Sequence, residues 1–143
     1  MIYKKHFSIE EANGLIPQLR DYFEEIFSIQ KCLKKERKQK ELVTQNLSRN
    51  GGWNNSALYL ENSFKVSKIL DKILKTGAVV KDLEKGLVDF PHISEGLVPL
   101  IHRGQSEKEV FLCWEVGEKE VLYWHDLESG YKGRKSLYLD KDV

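Results

Sequence analysis

Residues 110–134, VFLCWEVGEKEVLYWHDLESGYKGR, constrain the fold more than any other part of the chain. Two runs rich in β-branched and aromatic residues, 110–116 and 121–127, flank a short turn at Gly117-Glu118-Lys119-Glu120. That is a β-hairpin signature. Pairing Val116 with Val121 sets Trp114 opposite Tyr123, Cys113 opposite Trp124 and Leu112 opposite His125. One face then gathers Val110, Leu112, Trp114, Val116, Val121, Tyr123, His125 and Leu127, an apolar set with one histidine at its edge. The other gathers Phe111, Cys113, Glu115, Leu122, Trp124 and Asp126. A slip of one residue would mix the two sets, so the pattern favours this register. An isolated hairpin is marginal in water and neither face is polar enough to stay bare, so both need cover.

Helices are the expected cover. Ser8-Ile9-Glu10-Glu11 reads as a capping box with Phe7 just outside it. It predicts a short helix ending at Asn13-Gly14, with a second starting at Pro17, a residue tolerated only in a first turn. Leu19, Tyr22, Phe23, Ile26, Ile29 and Leu33 recur at three- and four-residue spacing, and the pattern runs to about Asn46. Residues 46–55, NLSRNGGWNN, read as a loop pinned by Trp53. Residues 57–75 predict a second long helix with Leu60, Phe64, Val66, Ile69, Leu70, Ile73 and Leu74 as its stripe and Gly77 as its stop. Two such helices should fold back as an antiparallel hairpin. Short strands follow at 78–81 and 87–90 around a turn at 83–86, and Pro91 stops the second or confines it to an edge. Residues 93–109 form an irregular connection.

The expectation is an α+β fold: a long antiparallel helical hairpin packed on a small antiparallel β-sheet. All 143 residues make one domain, helical over about 8–76 and sheet-bearing over about 78–140. A net charge of +1 gives no global reason to bind nucleic acid. The basic run 34–40 lacks interleaved aromatics and reads as a solvated helix face. Cys32 and Cys113 form no pairing motif, which fits a reducing cytoplasm. No membrane span or signal peptide is apparent, so a cytoplasmic location is expected.

Histidine and carboxylates are the polar groups with chemical potential. His125 with Asp89, Asp126 and His92 could hold a divalent metal or do acid–base work. His125 and Asp126, adjacent on a strand, point to opposite faces. Cys113 falls on the face away from His125 in the register above and reads as a small buried hydrophobe. Trp124, Tyr131, Gly133 and Arg134 suggest a ligand-binding rim: aromatics beside an arginine fork and glycines that free the backbone. No HExxH, CxxC or Gly-rich nucleotide loop is present.

Four blocks, at 7–19 (FSIEEANGLIPQL), 81–91 (KDLEKGLVDFP), 112–126 (LCWEVGEKEVLYWHD) and 130–134 (GYKGR), resemble the bacterial family catalogued as domain of unknown function 2203. The resemblance covers residues 7–134 and implies a bacterial origin, without any established activity. Its motifs fall on Asp82, Gly86, Asp89, Phe90, Pro91, Cys113, Trp114, Gly117, Glu118, Trp124, His125, Gly130, Gly133 and Arg134. The chain departs from the family's pattern in the long 93–109 connection and at Ser136, where a proline is common.

Two functional readings follow. The preferred one is a small binding or protein-interaction module, self-associating as a dimer, with a protein or an anionic small molecule as partner. The alternative is a metal-dependent enzyme with His125 and Asp89 at its site and an anionic substrate gripped by Arg134. The enzyme requires His125 and carboxylates converging in a cleft. The module requires a contiguous exposed aromatic patch.

Overall fold

A computed structural model describes residues 2–46, 56–94 and 107–138. The α+β expectation holds: two long helices pack on each other and on a five-stranded antiparallel sheet. The loop around Trp53, most of the 93–109 connection and the last five residues lie outside the described residues.

Helix α1 (Ile9–Asn46) starts with the expected capping box. Glu11 N donates to Ser8 Oγ at 3.0 Å, and Ser8 N donates back to Glu11 Oε1 at 3.2 Å. The helix does not stop at Asn13-Gly14, and Pro17 lies inside it. Proline withholds one N–H from the carbonyl four residues back, a penalty of about 3 kcal/mol. Burial of Ala12, Ile16, Leu19, Phe23 and Ile26 along one unbroken stripe offsets it, since a large apolar side chain contributes about 1.5–3 kcal/mol. Continuity of that stripe wins over the local breakers.

Helix α2 (Ser56–Lys75) packs beside α1 and ends as expected, with Gly77 at a positive φ of 96°. Its apolar residues divide, however. Val66, Ile69 and Ile73 enter the core, while Leu60, Phe64 and Leu74 stand on the outer side at 61–68% exposure. At 3.6 residues per turn, these six positions span too wide an arc for one face.

Strands β1 (Val79–Asp82), β2 (Leu87–Ile93), β3 (Glu109–Glu115), β4 (Tyr123–Asp126) and β5 (Lys135–Ser136) form a meander in chain order. Pro91 does not end β2, which runs two residues further. Its carbonyl accepts from Phe7 N at 2.7 Å, and an antiparallel residue points its N–H and C=O to the same side. Pairing with β1 goes no further than Asp89, so the missing N–H falls where β1 no longer reaches. Locally, Pro91 is at an edge.

The β3–β4 hairpin differs from the expected register by one residue: Cys113 faces Tyr123, Leu112 faces Trp124 and Phe111 faces His125. The cause lies in the connection. Val121 leaves the strand and is fully buried, its N–H donating to Asn13 Oδ1 of α1 at 2.7 Å. Glu118 ties down the rest: its carbonyl accepts from Trp114 Nε1 at 2.9 Å, and its Oε1 accepts from Glu115 N at 2.7 Å. The longer link consumes one residue, and every side chain of β4 changes face. Trp124 joins Leu112, Trp114, Val88 and Phe90 in the core beneath the helices. Asp89, Phe111, Cys113, Tyr123 and His125 share the opposite face.

Candidate metal centre

Three adjacent strands each contribute one polar side chain to that opposite face: Asp89 from β2, Cys113 from β3 and His125 from β4. Their ligand atoms lie within 4.8 Å of one another, and all three residues are at most 3% exposed. His125 Nε2 is 3.0 Å from Asp89 Oδ2. That approach is not a well-directed hydrogen bond, and Oδ2 accepts none from any described group.

The histidine's other nitrogen fixes the electrostatics. Nδ1 is 2.8 Å from the Asp126 carbonyl, which can only accept, so Nδ1 carries the proton. In a neutral ring Nε2 would then turn a lone pair toward the Asp89 carboxylate. The space between them calls for positive charge, either a second proton or a metal ion. Burial pushes the imidazole down, but Asp89, Cys113 and the Asp126 carbonyl outweigh it and raise its pKa to about 10.

A cavity of about 260 Å³ reaches Asp89, Cys113 and His125, with Leu87, Phe111 and Leu127 as apolar walls. Lys81 and the 127–131 loop rim it. The Lys81 ammonium sits 4.6 Å from the Phe111 ring centroid, and among the described residues it has no carboxylate partner.

The other residues singled out from sequence fall elsewhere or in supporting positions. Asp126 points to the helix side and pairs with Lys108 Nζ at 2.8 Å. His92 also lies on the helix side, with Nδ1 2.6 Å from the Phe7 carbonyl. Burial lowers its pKa, and the Phe7 carbonyl only partly opposes this, so it is a neutral structural histidine. Trp124 is core. Tyr131 lines the cavity and donates its hydroxyl to Glu115 Oε2 at 2.9 Å. Gly133 closes the turn Tyr131–Gly133 through its N–H to the Gly130 carbonyl. Arg134 stacks against Tyr123 and Tyr131, 3.9 and 4.4 Å from their centroids, and pairs with Glu118 at 3.1 Å. Its charge is committed within the fold.

Sequence reasoning missed Cys113 as a partner of His125, and it missed Lys81. The signal for the first was Trp124: choosing it as the inward residue of β4 would have set the observed register and brought Cys113 and His125 to one face. For Lys81 no motif existed. Alternation along β1 sets it there: Val79 pairs with Asp89 and Val80 with the core residue Val88, so Lys81 falls on the Asp89 face.

Fold and site together define a small α+β protein with a buried Asp–Cys–His cluster opening on a cavity. The family model described as an uncharacterized conserved protein, DUF2203, matches residues 5–137, and the chain belongs to that family. No curated protein and no solved structure matches it.

Proposed function

We propose that the protein is a metal-dependent enzyme whose centre is a divalent ion, zinc by preference, held by Asp89, Cys113 and His125. The observation that carries this reading is the convergence of one oxygen, one sulfur and one nitrogen ligand around a buried carboxylate oxygen with unused acceptor capacity. Mixed thiolate, imidazole and carboxylate ligands suit zinc, and three protein ligands leave a fourth position for water or substrate, the pattern of catalytic sites. The bond from Nδ1 to the Asp126 carbonyl is the outer-shell contact that orients a ligating histidine. Such an ion would acidify a bound water or polarise a carbonyl in the cavity.

A Cys–His nucleophilic pair fits less well. That chemistry keeps one ring nitrogen for the thiol while the other is held by an orienting acceptor. Here Nδ1 is taken by a backbone carbonyl, and Nε2 alone faces both Cys113 and Asp89. The aromatic-rim module has less support, because Trp114 and Trp124 are core. Self-association keeps one supporting observation: the outer side of α2 exposes Leu60, Phe64 and Leu74. A second copy, pairing α2 with α2 about a two-fold axis near Ser67, would set Leu60 against Leu74.

The test is metal analysis of tag-free protein beside Cys113→Ser and His125→Ala. Near-stoichiometric zinc in the parent, with affinity lowered by about 100-fold or more in both variants, is expected. Equal metal content in all three proteins would end this reading.

A further inference from the structure

The cavity above the Asp–Cys–His cluster has an unbalanced charge. A divalent ion bound by one carboxylate, one thiolate and one neutral imidazole makes a centre of zero net charge. Lys81 then stands on the cavity rim as a cation that no described carboxylate neutralises. The Phe111 ring neighbours both: its centroid is 4.6 Å from the ammonium and 5.4 Å from the His125 ring centroid. Arg134 cannot take this part, being held between two tyrosines and paired with Glu118.

We infer that the cavity takes a small monocarboxylate, one oxygen placed toward the metal centre and the other toward the Lys81 ammonium, with its apolar part against Leu87, Phe111 and Leu127. This rests on the metal reading above and adds the substrate class. Size supports it, since about 260 Å³ falls below the range of drug-sized pockets and suits a compact molecule. Charge decides between the two common oxyanions. A phosphate dianion would bring a second negative charge that no further cation among the described rim residues meets, and Glu128, exposed on that rim, would repel it more strongly than a single charge.

Cobalt(II) makes both levels of the inference visible. Its thiolate charge-transfer band reports ligation by Cys113, and its visible bands shift when an anion enters the coordination sphere. Acetate titrated into the cobalt protein should shift the visible bands and saturate, with inorganic phosphate weaker. Lys81→Met, at an exposed position, should keep the charge-transfer band and lose about tenfold in acetate affinity, the scale of one charged hydrogen bond. Lys81→Arg should recover part of it. Equal acetate affinity in parent and Lys81→Met, or tighter binding of phosphate than of acetate, would overturn the carboxylate assignment while leaving the metal centre intact. Absence of the charge-transfer band before any anion is added would remove the metal centre and this inference with it.

Discussion

His125 divides its work between its two nitrogens: one is spent on orientation, and the other is left facing Asp89 and Cys113. Asp89→Asn removes the anion that the ring faces while keeping the side chain's shape. In the metal-free protein, the imidazole pKa should fall well below its present value of about 10, and proton NMR titration of the ring would measure that. An unchanged titration would mean that Asp89 is not the controlling partner. Gly86 is a second residue with a sharp demand. Its φ is +74°, and a Cβ there would run into the Val116 side chain and approach Phe27. Gly86→Ala should therefore destabilise the protein by about 2 kcal/mol or more, read from urea unfolding, because the left-handed conformation alone costs about 1–2 kcal/mol. Adding Val116→Ala should relieve the clash and recover only part of the loss. Full recovery would show that the backbone conformation costs nothing there.

At the scale of elements, two segments outside the regular strands decide the geometry. The first is the β3–β4 connection, anchored where Asn13 of α1 accepts from Val121 N. Asn13→Ala would leave that N–H unpaired beside a buried side chain, a loss of about 1–3 kcal/mol. Denaturant midpoints check this, and a value within 0.5 kcal/mol, roughly the scatter of neutral surface changes, would mean that water replaces the amide. The second is the N-terminal segment. Glu109 Oε1 and Oε2 accept from Ile2 N and Tyr3 N at 3.0 and 3.1 Å, and Oε2 lies 2.6 Å from His6 Nε2. Burial raises the Glu109 pKa, but the His6 contact and the two amides prevail and hold it below its ordinary 4.5. The folded state therefore binds the proton less readily than the unfolded one. The stability Glu109 supplies is present above about pH 4.5 and is lost as pH falls through its lowered value. Urea unfolding from pH 7 to pH 3 should show a steeper decline for the parent than for Glu109→Gln, and parallel declines would exclude the clamp.

These same elements show what the sequence could and could not reveal. The capping box, the α1 stripe, the extent of α2, the Gly77 stop and the existence of the hairpin, though not its register, were legible because each rests on local spacing. Unbroken α1 was not, because propensity at Gly14 and Pro17 was overridden by burial further along the helix. Asp89 and His125 were legible as candidates by residue type. Their meeting with Cys113 was hidden, because it depends on one residue of register set by Asn13, more than a hundred positions away in sequence.

On the scale of the whole molecule, the sheet separates two kinds of surface. Its helix side is sealed core, while its other side carries the polar cluster and cavity. Among the described residues no helix is long and apolar enough to cross a membrane. Away from the sheet, the outer side of α2 exposes Leu60, Phe64 and Leu74, and under the proposed two-fold pairing Leu60→Glu with Phe64→Glu should leave a monomer in light scattering where the parent is a dimer. A parent already monomeric at high concentration would dismiss the two-fold pairing.

The slipped hairpin has a consequence for how the chain reaches its final form. Asp89, Cys113 and His125 sit on three successive strands, and a one-residue misalignment of β4 turns His125 to the far side of the sheet. An ion that needs all three ligands can therefore bind only the correctly aligned chain, and its binding energy accrues to that alignment alone. Metal would act here as an arbiter between competing strand alignments, rewarding the native one during folding before any substrate arrives.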